Sequence, residues 1–165
     1  TDGEGSHPNV PGLAEIRAHE RDAALMELGC QPRLVRLAIP DGAVWQATDL
    51  ADRIARELAG VSHVFAPLEF DGHPDHDAVG TAARDASART ESTLVRYAVW
   101  AWHWARVDRL PFERSAAITL DGGVRDRKRR AINAYRSQIT MFEGIRILYP
   151  AMLDHFARPF ETVFV

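Results

Sequence analysis

Two histidines and a carboxylate stand close together near the middle of the chain. His73 and His76 are three residues apart, and Asp75 lies between them. Two imidazoles and a carboxylate at this spacing can supply a metal ligand, a group that orients it and a proton donor. Pro74 restricts the backbone and Gly72 permits a close approach, so the loop can hold these groups in place. The spacing is equally compatible with a polar loop that caps the next helix through Asp75.

The elements around the histidines predict where they lie in the fold. Residues 61–66 form a short apolar run, which is typical of a strand buried on both faces, with His63 as a satisfied core histidine. A loop over residues 67–75 and an alanine-rich helix over about residues 76–90 follow. In sheets flanked by helices, ligands bind beyond the carboxyl ends of the strands. The histidine pair follows such an end.

Helical and strand patterns alternate along the rest of the chain. A loop over residues 1–12 precedes a helix over residues 13–28, for which Gly29 is the expected cap. The other predicted elements are a strand at 33–39, a helix at 48–59, strands at 93–100 and 116–120, helices at 124–139 and 151–156, and a strand at 161–165. This alternation predicts a single α/β domain over residues 1–165, a three-layer Rossmann-like sandwich with a mostly parallel sheet. One strand face is predicted to carry Trp100, Trp102 and Trp104, as core packing or as the floor of an acyl pocket.

Composition and charge exclude several classes of protein. A net charge of −3 gives no electrostatic reason to expect a nucleic-acid partner. The most apolar stretch, residues 94–104, is too short and too polar to span a membrane. Cys30 is the single cysteine, so no internal disulfide can form, and we expect a cytoplasmic location and a buried thiol. The basic run at residues 125–130 predicts a solvated helix face and not a phosphate site.

The stretch at residues 71–76, followed by Ala-Val-Gly at residues 78–80, resembles the second signature of the LmbE-like, or PIG-L, N-deacetylase superfamily. Further segments resemble that family in its own order: Thr-Asp-Gly-Glu at 1–4, Arg17 and Glu20, the turn at 40–42, the strand at 97–102, the helix with Lys128, Ala131, Tyr135, Ser137 and Gln138, and the segment with Arg158, Pro159, Glu161 and Phe164. The family's first signature, an Ala/Pro-His-Pro-Asp-Asp-Glu loop, is absent. We therefore expect an N-terminally incomplete member.

The resemblance implies a zinc-dependent hydrolase that removes an N-acyl group, such as acetyl, from an N-acetylglucosamine-type moiety of a larger molecule. It implies that His76 is a metal ligand, and that His73 stabilises the tetrahedral intermediate and protonates the leaving amine. Asp75 would orient His73 and raise its pKa. The other two ligands and the general base belong to the absent signature. Zinc with three protein ligands keeps a position open for water. Another divalent metal is the alternative to zinc.

The same resemblance implies that Arg17, Glu20 and Asp41 bind the sugar. Guanidinium and carboxylate groups suit neighbouring hydroxyls. The alternative for Arg17 and Glu20 is an exposed intrahelical pair. The implied partner is a small-molecule or glycoconjugate substrate, with homo-oligomerisation left open.

Two other interpretations remain at this point. The chain could be a degenerate, non-catalytic sugar-binding domain of the same fold, since the first metal signature is missing. It could also be an unrelated α/β binding module in which His73 and His76 are structural. Metal content separates the enzyme from both alternatives.

Overall fold

A computed structural model describes residues 1–7 and 9–165, together with their side chains except that of Val107. Pro8, in the predicted N-terminal loop, lies outside the described residues. Helices and strands follow in the order α1 Leu13–Leu28, α2 Leu50–Glu57, β1 His63–Pro67, α3 Pro74–Thr90, β2 Thr93–Tyr97, α4 Ala101–Trp104, β3 Ser115–Thr119, α5 Gly122–Ala134, α6 Arg136–Ile139, α7 Pro150–Phe156 and β4 Phe160–Phe164. The alternation predicted from the sequence is therefore present. Within the described residues, no helix is both long and apolar enough to cross a membrane.

The four strands form one mixed sheet in the order β1-β2-β4-β3. β1 runs parallel to β2, with His63 opposite Thr93. β2 and β4 are antiparallel and meet at Arg96 and Phe164. The α/β class is as predicted, whereas a mostly parallel sheet is not confirmed.

The strand predicted at residues 33–39 is wrong. Residues 30–40 adopt neither helix nor strand, and Ala38 has a positive φ of 52°. Leu34 and Val35, which suggested a strand, are exposed. A strand forms only where a neighbour satisfies its backbone groups, and no described strand pairs with this segment.

The strand predicted at residues 93–100 ends early, at Tyr97. The chain then bends, because the buried carboxylate of Asp71 accepts hydrogen bonds from the backbone N–H groups of Val99, Trp100 and Ala101. Residues 101–104 continue as the short helix α4. The alternating tryptophans therefore do not share a strand face, and that prediction is wrong.

β1 is less buried than its apolar sequence suggested. Only Ala66 and Pro67 are buried, and the side chain of Phe65 is 59% exposed. His63 is exposed, with Nδ1 3.0 Å from the Ser62 hydroxyl, so it is not a core histidine. Among the described strands, β1 is at the end of the sheet order and has β2 as its single neighbour. Cys30 is also exposed rather than buried, in the irregular segment after α1.

The chain divides into two compact units. The first combines Thr1–Asp41 with Thr119–Glu161, and in it α1 packs against α5 and α6. The second combines Gly42–Ile118 with Thr162–Val165, and in it α3 packs against α2, β1 and β2. A buried apolar cluster in the second unit contains Leu68, Ala98, Ala101, Leu110 and Phe164. The single domain over residues 1–165 stays a prediction.

Candidate functional site

The start of α3, in the second unit, positions His73 and His76. Proline suits the first turn of a helix, so α3 begins at Pro74 and places Asp75 and His76 in that turn. His73 is the N-cap, and its Nδ1 accepts a hydrogen bond from the backbone N–H of Asp75 at 3.2 Å. Asp75 is therefore not the cap. A neutral imidazole that accepts a hydrogen bond at Nδ1 carries its proton at Nε2. Nε2 of His73 is therefore a hydrogen-bond donor.

His76 is oriented by a buried carboxylate. Its Nδ1 lies 2.6 Å from Oδ2 of Asp71, whose side chain is fully buried. A carboxylate at one ring nitrogen of a histidine fixes the ring and raises the basicity of the other nitrogen, which is the usual arrangement behind a metal ligand. The rings of His73 and His76 are 4.7 Å apart between centroids. One proton donor and one candidate ligand are thus side by side.

Asp71 is a site residue that sequence reasoning did not single out. Besides His76, its carboxylate accepts the three backbone N–H groups that bend the chain after β2. Burial alone raises the pKa of Asp71, but the hydrogen bonds from His76 and from those amides outweigh it and lower the pKa. Asp71 is thus held as a carboxylate. The available signal was an acidic residue shortly after β1 and five residues before the candidate ligand.

Asp75 contacts His73 in a different way from the one expected. Its carboxylate accepts the backbone N–H groups of Gly42 at 2.7 Å and Val44 at 3.1 Å. The bond to the His73 ring comes from the backbone N–H of Asp75 instead. The carboxylate therefore anchors the first turn of α3 to the segment around Val44. A catalytic role for Asp75 stays a prediction.

Aromatic side chains from the bend after β2 lie beside the histidines. Trp100 is nearly parallel to His73, with centroids 6.3 Å apart and an angle of 18° between the rings. Trp104 donates its indole N–H to the backbone oxygen of Asp71 at 2.7 Å and keeps about half of its surface exposed. The alternating tryptophans can be recognised in the sequence, but the bend that places Trp100 beside His73 depends on Asp71.

Arg17, in the first unit, is buried and held by the N-terminal segment. Its guanidinium donates to the backbone oxygen of Gly3 and to the Ser6 hydroxyl, the latter at 2.6 Å. Only 7% of its surface is exposed, so the exposed-pair alternative is wrong for Arg17. Burial lowers the pKa of Arg17, and the carboxylates of Asp41, Glu20 and Glu4 oppose that effect.

Asp41 belongs to the polar cluster around Arg17 and Glu4, whereas the carboxylate of Glu20 contacts Ser137. Asp41 accepts the backbone N–H of Gly5 at 3.1 Å, and Glu4 accepts the backbone N–H of Asp41 at 3.0 Å. Glu20 accepts both the backbone N–H and the hydroxyl of Ser137, at 2.6 and 2.7 Å. Sugar binding by Arg17, Glu20 and Asp41 stays a prediction.

Among the side chains of the second unit described above, His76 has the chemistry of a metal ligand. His76 has a carboxylate behind it and its other nitrogen available, which fits a zinc ligand. In the part of the chain that the structure describes, no group of three or more His, Cys, Asp or Glu side chains is arranged to hold a metal ion. These residues therefore fit part of a metal site.

Comparison with known families assigns the chain to a class. The model of the PIG-L family, described as GlcNAc-PI de-N-acetylase, matches residues 1–87, just over half of the 165 residues. The chain belongs to the PIG-L family, as the sequence motifs predicted. No curated protein matches it in sequence.

Solved structures show the same LmbE-like fold. The A40926 pseudoaglycone deacetylase Dbv21 matches with a TM-score of 0.67 and 22% identity, over 92% of this chain and 69% of that one. The conserved protein TT1542 from Thermus thermophilus matches with a TM-score of 0.61 and 26% identity, over 85% and 64%. The zinc-inhibited form of teicoplanin deacetylase Orf2 matches with a TM-score of 0.65 and 19% identity, over 92% and 73%. Family and fold together support a deacetylase that acts on a glycosyl compound.

Proposed function

We propose that the protein is a zinc-dependent hydrolase that removes an N-acyl group, such as acetyl, from an N-acetylglucosamine-type sugar within a larger molecule. The observation that carries the proposal is the pairing of His76 with buried Asp71 beside His73. Membership of the PIG-L family supports the amino-sugar amide as substrate. The structural neighbours named as deacetylases of A40926 pseudoaglycone and teicoplanin support a glycosylated molecule as its carrier.

His76 would hold the metal through Nε2, with Asp71 fixing the ring through Nδ1. When bound, zinc would supply a Lewis acid for the amide carbonyl and lower the pKa of a water molecule toward neutrality. A carboxylate at Nδ1 favours the tautomer with the ring proton on that nitrogen, which would leave Nε2 of His76 to bind the metal.

His73 would handle the proton. Its Nε2–H can donate a hydrogen bond to the oxygen that becomes negative as water attacks the carbonyl carbon. To protonate the amide nitrogen as the C–N bond breaks, His73 would first take up the proton that the attacking water loses. As the imidazolium it would then give a proton to the nitrogen and return to the neutral imidazole, which releases the free amine and the carboxylic acid. The hydrogen bond from the Asp75 backbone N–H to Nδ1 orients the His73 ring, and the indole of Trp100 lies nearly parallel to it.

Arg17 and Asp41 would bind the sugar hydroxyls, with Glu20 in support. Buried, hydrogen-bonded arginines keep a fixed geometry, so they lose little entropy on binding a ligand. We expect Arg17→Ala to raise KM for an N-acetylglucosamine-containing substrate more than it lowers kcat, as lost ground-state binding does. An unchanged KM would assign Arg17 to folding of the N-terminal segment alone.

A non-catalytic sugar-binding domain is the second candidate. The observation in its favour is that the described residues bring together fewer than three metal-ligating side chains. Such a domain would bind N-acyl amino sugars without metal and without releasing amine. The expected cytoplasmic location, the absence of a nucleic-acid partner and the open question of homo-oligomerisation remain predictions.

The test combines a substrate panel with metal analysis of the protein expressed from its complete gene. N-acyl amino sugars with short and long acyl groups and varied aglycones are assayed for released amine. We expect hydrolysis of at least one, and loss of most bound zinc in His76→Ala but not in the exposed control His63→Ala. Equal zinc in both variants would refute the ligand assignment. Hydrolysis of other amides alone would refute the amino-sugar assignment and leave the zinc hydrolase standing.

A further inference from the structure

A cavity of about 440 Å³ lies between α5 and α7 in the first unit, and its lining contains none of the residues proposed for metal binding, proton transfer or sugar binding. Its polar side is strongly basic and is formed by Arg125, Lys128, Arg129 and Arg158. Asp126 is the acidic residue among its lining side chains. The cavity therefore joins a cationic wall to the groove between two helices.

The lining carries more positive than negative charge. Lys128 pairs with Glu161 at 2.5 Å, and Arg129 pairs with Asp126 at 3.1 Å. Arg125 and Arg158 add two further cations to the same wall. The guanidinium of Arg158 also lies 2.7 Å from Nδ1 of His155. An anion entering the cavity would therefore meet a net positive lining.

Part of the cavity lining is apolar. Ile132, Leu153 and Phe156 form this part, and they also line a smaller adjoining cavity of about 140 Å³. Ile139 and Leu148 continue the apolar lining there. Tyr135 also lines the smaller cavity, and burial raises the pKa of its hydroxyl. The larger basic cavity and the smaller apolar cavity, here called the recess, thus share three side chains.

We propose that this double cavity binds a single-chain anionic amphiphile, with its carboxylate or phosphate head at the arginines and its aliphatic tail in the recess. Guanidinium groups match both heads with paired hydrogen bonds. Ligand sites are generally apolar clefts with a few well-placed polar groups, which is the arrangement here. The proposal is independent of the deacetylase assignment. Residues 125–130 form a largely exposed helix face, as predicted, and the proposal departs only from the prediction that they are not an anion site.

Calorimetric titration of the 165-residue chain tests the proposal with defined probes. Decanoate and decyl phosphate below their micellar concentrations distinguish the two head groups, decyl maltoside is the neutral control, and acetate lacks a tail. We expect saturable binding of at least one anionic decyl probe, tightened about fourfold for each methylene added between six and ten carbons. Equal affinity for decyl maltoside, or no saturable binding of either anion, would overturn it.

Charge variants locate the binding. Arg125→Gln should weaken binding of the better anionic probe about tenfold, the scale of one charged hydrogen bond. Arg127→Gln removes the same charge from α5 but lies outside the lining, so it should change affinity less than about twofold. Asp126→Asn should tighten binding, which a general loss of folding could not do. Equal weakening in both arginine variants would place the anion outside the cavity.

Discussion

His73 has the geometry of a proton donor because a backbone amide occupies its Nδ1 and an indole ring stacks beside it. His73→Ala removes the donor while leaving Asp71 and His76 intact. We therefore expect metal content to stay at the wild-type level and kcat to fall by about 10² or more, the usual scale for a positioned acid–base group. Metal analysis and steady-state kinetics on the best substrate check this. A kcat near that of the wild type would exclude the role.

Asp75 acts on the structure through its carboxylate, which accepts the amides of Gly42 and Val44. In Asp75→Asn an NH2 group replaces one of these acceptors and faces an N–H donor. We expect the free energy of unfolding to fall by about 1–3 kcal/mol, the cost of a buried unsatisfied group. Asp85→Asn, an exposed change on the same helix, is the matched control in a urea titration. Equal effects of the two changes would mean that the anchoring bonds contribute nothing.

Glu4 makes stability depend on pH. Burial raises its pKa, but the backbone N–H groups of Glu4, Asp41 and Asp2 outweigh burial and lower it. A lowered folded-state pKa stabilises the fold above the unfolded value of about 4.3, and this contribution is lost as pH falls through the folded-state value. The difference in unfolding free energy between wild type and Glu4→Gln should thus be constant near neutrality and shrink below about pH 4.3. A pH-independent difference would contradict this.

Among the elements, those controlled by neighbouring residues were predicted well. α1 spans Leu13–Leu28 as predicted, because its end is set locally by Gly29 in a left-handed conformation with φ of 70°. β1, β3 and β4 also lie within about two residues of their predicted bounds, since short apolar runs between turn residues mark them. The helix predicted at residues 124–139 breaks at Tyr135, where ψ is 60°. The segment contains no proline or glycine from which this break could be predicted.

Elements controlled by distant residues were not predictable. The strand at residues 33–39 fails for want of a pairing neighbour, which no local pattern reports. The bend after Tyr97 depends on Asp71, whose carboxylate accepts amides 28 to 30 residues further along the chain. The candidate site shows the same difference. The spacing of His73 and His76 can be recognised in the sequence, whereas the contacts of Asp71 and Asp75 depend on the folded chain and could not be predicted.

The loop that connects β1 to α3 depends on Gly72. Its φ is 88°, and a Cβ there would lie only 2.7 Å from Cε2 of Trp104. Gly60 has a similar φ of 75° but open space around it. Alanine at either position incurs about 1–2 kcal/mol for the left-handed conformation. We expect Gly72→Ala to lower the thermal stability more than Gly60→Ala does, because Trp104 must also move. Equal losses would show that Trp104 is not packed on this loop.

For the molecule as a whole, the boundaries of the two compact units fall inside strands. The unit boundary in β4 lies between Glu161 and Thr162, and that in β3 lies between Ile118 and Thr119. Each strand therefore contributes residues to both units, and one sheet contains both strands.

We therefore expect the 165-residue chain to unfold in one cooperative transition, as a single domain does. Calorimetry should give equal calorimetric and van't Hoff enthalpies, and tryptophan fluorescence should coincide with far-ultraviolet circular dichroism during heating. All four tryptophans, Trp45, Trp100, Trp102 and Trp104, lie in the second unit, so fluorescence reports on that unit. Circular dichroism reports on both units, because α1 and α5 belong to the first and α3 to the second. A fluorescence transition displaced from the dichroism transition would show that the units unfold separately and would replace the single domain with two.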